Sequence, residues 1–129
     1  MKSRVIIAIG SALILLLGGC ASSNTASNGL LIRHLNKSYL PDVQKDAQYD
    51  KKTFELGRSC LSRAKTVQEA NTCNDKVRKR QPDIGIEDFK KWDEEERSKV
   101  LKIIDVNEKF VDCLIAAKHI EMALECKEP

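Results

Sequence analysis

The chain is short of aromatic side chains, with three Phe, two Tyr and one Trp among 129 residues. Large rings can therefore contribute little burial, and a domain of this size stands at the marginal end for a hydrophobic core. Histidine is scarcer still: His34 and His119 stand 85 positions apart, neither with a partner beside it, so metal binding and general-base chemistry have no constellation to build on. There is no C-x-x-C, which removes the usual redox and haem-attachment signatures, and the close cysteine spacing of common zinc sites is missing too. Carboxylates are plentiful but spread over helical faces, without a Gly-rich or aromatic sugar-binding loop beside any pair. The expectation is a protein that is not an enzyme and uses no cofactor or metal.

Nor is there a long hydrophobic run. The apolar stretch Val5–Leu17 falls short of the roughly 20 residues a membrane span needs. It follows Lys2 and Arg4 and closes on Leu17-Gly18-Gly19-Cys20, the layout of a secretory signal. The Leu-Gly-Gly-Cys ending resembles the lipobox of bacterial lipoproteins, over residues 1–20 only. That resemblance implies removal of residues 1–19 and a diacylglycerol on the sulfur of Cys20, with further fatty acylation such as palmitate. Ala21 and Ser22 follow the cysteine instead of Asp. By the same resemblance this favours the inner leaflet of the outer membrane, facing the periplasm. Two or three acyl chains anchor stably where one does not.

Without Lys2 and Arg4, 20 basic residues face 19 acidic ones. The mature chain is close to neutral, and an exported neutral domain is not expected to bind nucleic acid. Residues 20–29 form the lipidated cysteine and a small, polar stretch expected to be a flexible tether. Leu30–Leu40 is too apolar for a linker and is expected to pack on the domain as a short helix or arm, or to be held for a partner.

A repeat organises the rest. Residues 60–73 read CLSRAKTVQEANTC and residues 113–126 read CLIAAKHIEMALEC. Superposed, they share Cys60/Cys113, Leu61/Leu114, Ala64/Ala117, Lys65/Lys118, Ala70/Ala123 and Cys73/Cys126, with Val67 matched by Ile120. Helical spacing extends from Pro41-Asp42 to about Lys65, with Gly57 costing about 1 kcal/mol relative to Ala unless a neighbouring helix crosses close to it. Thr66-Val67-Gln68-Glu69 is a capping box that starts a second helix, ended by Gln81-Pro82. Glu87–Ala117 is the longest helical pattern, with Phe89, Trp92, Val100, Ile103, Ile104, Phe110, Val111 and Leu114 near its apolar stripe. Ile120–Cys126 repeats the second helix in shorter form, with His119 where the first repeat has its capping Thr66. The expected fold is all-α: two disulfide-stapled α-hairpins, about 42–80 and 87–126, packed as a small four-helix domain within residues 30–129.

With Cys20 assigned to lipid, four cysteines remain. On one straight helix, thirteen positions span about 19 Å, far beyond the roughly 7 Å Cα separation a disulfide tolerates. A turn at Thr66 removes the obstacle, and the repeat extends the argument to the second pair. The pairing is therefore Cys60–Cys73 and Cys113–Cys126. The rival, Cys60–Cys126 with Cys73–Cys113, resembles the coiled-coil-helix proteins with twin C-x9-C motifs, from which the spacing of twelve departs.

Lys76, Arg78, Lys79 and Arg80 form a basic cluster at the second helix's C-terminal end, where cations offset the dipole. The alternative is contact with lipid headgroups or an acidic partner. Phe89 and Trp92 suit core packing or a partner anchor. These observations point to a lipid-anchored protein that binds another envelope protein, as an assembly accessory or an inhibitor, immunity or exclusion protein. An enzyme or carrier acting on an envelope polymer or small ligand is the alternative.

Overall fold

The computed structural model describes residues 25–129. The signal segment, Cys20 and the first part of the expected tether lie outside the described residues. The elements are α1 (Thr25–His34), a π-helical turn (Leu35–Tyr39), α2 (Leu40–Leu61), α3 (Val67–Arg80), α4 (Glu94–Ala116) and α5 (Ile120–Leu124). Among the described residues there is no strand, and the all-α expectation holds.

The N-terminal half of this helical layout corrects two expectations. Thr25 to Gly29 are helical, not tether, and helix runs without a break from Thr25 to Leu61. Pro41 does not start it. Pro41 has no N–H for the carbonyl four residues back and crowds the preceding turn; the backbone accommodates it by widening, so that the Leu40 N–H reaches the Leu35 carbonyl, a five-residue step. Ile32, Leu35 and Tyr39 pack on the core and Leu40 is buried, so this stretch is a helix docked on the domain. Leu30 and Leu31 remain exposed.

α2 is the central rod. Val43, Ala47, Phe54, Gly57 and Leu61 follow three- and four-residue spacing and are buried. α4 lies antiparallel to α2, as two ion pairs register: Lys51–Asp112 at 2.6 Å and Arg58–Glu108 at 2.6 Å. Arg58 also lies 3.5 Å from Asp105. Ile104, Phe110, Val111 and Leu114 form α4's buried face.

The repeat folds as one unit used twice. Leu61 and Leu114, Ala64 and Ala117, and Ala70 and Ala123 are all buried, while Lys65 and Lys118 are exposed. The disulfides are Cys60–Cys73 and Cys113–Cys126, with Cα atoms 5.6 and 5.8 Å apart. The bends between the cysteines are capped differently. In the first, Thr66 Oγ1 accepts from the Glu69 N–H at 3.2 Å and Glu69 Oε2 accepts from the Lys65 N–H at 2.6 Å. In the second, His119 makes no cap bond. Its place is taken from across the fold: Asn36 Oδ1, in the π-helical turn, accepts from the Ile120 N–H at 2.6 Å. Gln44 Nε2 donates to the carbonyls of Ala117 at 2.7 Å and Ile115 at 3.0 Å.

α2 ends at Leu61, short of Lys65, and α4 begins at Glu94, not Glu87. Asp93 caps α4, with Oδ1 accepting from the Glu96 N–H at 2.8 Å. Residues 81–93 are an irregular connection outside any helix, and this segment shapes the candidate site.

Candidate binding groove

α3 holds the connection with polar side chains on one helix face. Asn71, Asn74 and Arg78 stand at i, i+3 and i+7. Asn71 Nδ2 donates to the Phe89 carbonyl at 3.1 Å and Asn71 Oδ1 accepts from the Phe89 N–H at 2.8 Å. Asn74, buried in the same face as Ala70, Cys73 and Val77, donates to the Glu87 carbonyl at 3.0 Å. Arg78 donates to the Ile86 carbonyl at 3.0 Å and bonds the carboxylates of Asp75 and Asp88, each at 2.7 Å. The bonds to the Ile86, Glu87 and Phe89 carbonyls occupy acceptors that a helix over 87–93 would use for itself. Phe89 and Trp92 therefore belong to the connection and not to α4's stripe.

The connection does not close against α4. Between them lies an open apolar hollow of about 260 Å³, walled by Ile84, Ile86 and Phe89 on one side and Val100, Ile103 and Ile104 on the other. Phe54, Gly57 and Val77 contribute to its lining from α2 and α3. Glu87 is the one carboxylate in the lining, and Thr53 and Asn74 are its other polar members. Ile103 is 53% exposed and Val106, a further turn along α4, is 47% exposed.

Gly57 lines the floor of this hollow on α2. A Cβ there would meet Val77 Cγ2 at 3.6 Å and Ile104 Cδ1 at 3.7 Å, ordinary contact with no clash. Two neighbouring helices do approach, yet neither requires the glycine. A residue costing about 1 kcal/mol inside a 22-residue helix thus leaves space where an alanine would fit. The spacing placed Gly57 on the buried face; nothing local to it signalled a cavity.

The other candidates are dispersed. Successive residues on α3 turn by about 100°, so the basic cluster is no single patch. Arg78 is engaged by Asp75 and Asp88. Arg80 donates to Thr53 Oγ1 at 3.2 Å and lies 4.7 Å over the Tyr49 ring, whose hydroxyl donates to the Arg80 carbonyl. Lys76 and Lys79 are exposed, Lys76 beside a shallow surface hollow over the Cys60–Cys73 bridge. Trp92 packs against Phe89 in a tilted arrangement, 4.7 Å between centroids, and donates from Nε1 to the Ala64 carbonyl at 2.9 Å. Of the expected contact residues, only Phe89 lines the groove. Nothing in the local sequence pattern marks Asn71, Ile84 or Ile86 as site residues. The readable signal was Asn74 itself, an amide on an apolar helix face that had to find a partner.

Among the described residues, no group of three His, Cys, Asp or Glu side chains is placed to hold a metal, and no helix is long and apolar enough to cross a membrane. No family model, curated protein or solved structure matches the chain.

Proposed function

We propose that the chain is an exported lipoprotein, anchored through lipid on Cys20, whose stapled helical domain binds another envelope protein at the Gly57 groove. The observation that carries this reading is the groove itself, an open apolar surface between the connection and α4 with Gly57 in its lining. Its position supports the same reading. Thirty-two residues of helix separate Thr25 from Gly57, about 48 Å at 1.5 Å per residue, so the groove sits well away from the first described residue. Two disulfides staple the domain, and side chains of α3 pin the connection that forms one wall of the groove, as suits a preformed docking face. With Glu87 as the one carboxylate in the lining, acid–base chemistry between paired carboxylates gains no support there.

A carrier of a small apolar ligand is the second reading, favoured by the apolar lining of the hollow. Cross-linking the Cys20-anchored protein in cells, followed by mass spectrometry, separates the two. Partner binding gives one envelope protein at near-stoichiometric yield. Recovery of lipid and cell-wall fragments alone would contradict it.

A further inference from the structure

We infer that the hollow over Gly57 receives one large apolar side chain, aromatic or branched, from an amphipathic segment of the partner protein. The residues flanking that side chain would cover Ile103 and Val106. This deepens the partner-binding reading and rests on it.

Size argues first. At about 260 Å³ the hollow exceeds the roughly 150 Å³ apolar cavity that accommodates benzene. It falls below the roughly 300–1,000 Å³ of sites for free drug-sized ligands. One anchoring side chain is the occupant on this scale. Polarity agrees for two of the three polar wall residues, Thr53 and Asn74, which are committed inside the fold; the third, Glu87, sets a charged edge. Thr53 Oγ1 donates to the Tyr49 carbonyl and accepts from Arg80, each at 3.2 Å. Asn74 holds the Glu87 carbonyl.

Continuity distinguishes a polypeptide from a free molecule. Ile103 and Val106 lie on one flank of α4, and Val106 is outside the hollow. A small ligand filling the hollow leaves Val106 in water, whereas a peptide segment covers both. Charge then gives the segment an orientation. Glu87 stands on the connection and Lys102 stands one turn before Val106 on α4, whereas Asp88 and Lys99 are paired within the chain with Arg78 and Glu95. The complementary segment carries basic residues toward the connection and acidic residues toward α4.

Indole serves as the probe for such a side chain, read by methyl NMR on the Cys20→Ser chain. The expected result is saturable shifts at Val77, Ile103 and Ile104. Gly57→Leu fills the hollow and should weaken indole binding at least tenfold, with the amide spectrum otherwise retained. Gly57→Ala, whose Cβ fits without displacement, should weaken it less and guards against misfolding of the larger variant. Absence of saturable shifts would overturn the inference, as would octanoate saturating the same methyls at tenfold lower concentration than indole. In cells, a photo-cross-linker at Val106 should capture a partner through an apolar residue, and Gly57→Leu should abolish that capture. Undiminished capture in Gly57→Leu would remove the pocket proposal and leave partner binding standing. No capture from Val106, nor from Glu55 on the outward side of α2, would remove partner binding itself.

Discussion

Gln44 Nε2 lies 2.7 Å from the Ala117 carbonyl, 73 residues away in sequence, and closes the second repeat's bend from outside the repeat. The matching carbonyl of the first repeat, Ala64, takes its donor from Trp92 at 2.9 Å. The two bends therefore share a local sequence but not a source of support. Gln44→Ala should destabilise the domain by about 1–2 kcal/mol, since it leaves part-buried helix-end carbonyls without their donor. Urea unfolding with an unchanged denaturant slope is the check; a shift below a few tenths would mean that water replaces the amide.

Each staple closes a thirteen-residue separation. Replacing Cys60 and Cys73 together by Ala should cost about 3 kcal/mol, and so should replacing Cys113 and Cys126. The second loss should be more disruptive locally, because α5 has only five residues and no side-chain cap of its own. Amide exchange across Ile120–Leu124 in each double variant reads this difference. Equal protection of α5 in both would refute it.

Gly57→Ala should raise stability by about 0.5–1 kcal/mol, because the new Cβ meets Val77 and Ile104 at ordinary contact distance. A gain in stability accompanied by weaker partner binding is the signature of a glycine kept for the groove. Destabilisation would indicate that Val77 and Ile104 cannot tolerate the methyl group.

Asn74→Ala should cost about 2 kcal/mol, since it leaves the Glu87 carbonyl without its donor and opens space in a buried site. Its characteristic effect should be local release of residues 84–89, seen as faster amide exchange there than in α2. Uniform destabilisation without that release would detach Asn74 from the shape of the groove.

Three carboxylates make stability depend on acid. The Glu96 N–H, then Lys91, hold Asp93 below its ordinary 3.8; Lys99 lowers Glu95 from 4.5; Lys109, with Arg58, lowers Asp105 from 3.8. A carboxylate whose pKa is depressed by folding stabilises above its unfolded value, and the contribution is lost as pH falls through the folded value. The melting temperature should therefore hold from pH 7 to about 5, then fall below the unfolded values of 4.5 and 3.8. All three groups are solvent-exposed, so the slope should be shallow and reduced further by salt. Asp105→Asn should flatten it; an unchanged slope would assign the acid sensitivity elsewhere.

Most of the helical scaffold was legible because local signals agreed with the global fold. The capping box at Thr66 and the stop at Gln81-Pro82 mark α3, and the repeated C-x12-C unit requires a bend between its cysteines. The sequence is misleading where distant groups override local pattern. Phe89 and Trp92 fit a helical stripe by spacing, but Asn71, Asn74 and Arg78 capture the backbone around them. Asp93-x-x-Glu96 carried a start signal of its own for α4. Pro41 looked like a beginning because a π-helical turn that absorbs a proline leaves no mark in hydrophobic periodicity. The groove was least legible of all, since it depends on a connection held away from α4 and on a side chain that Gly57 does not have.

Once the partner has been identified by capture, calorimetry of the purified protein against it tests the central claim most directly. The account predicts one-to-one binding that Gly57→Leu weakens at least tenfold in a chain that remains folded. Equal affinity of Gly57→Leu and the original chain would contradict it, and the binding surface would then lie away from the groove.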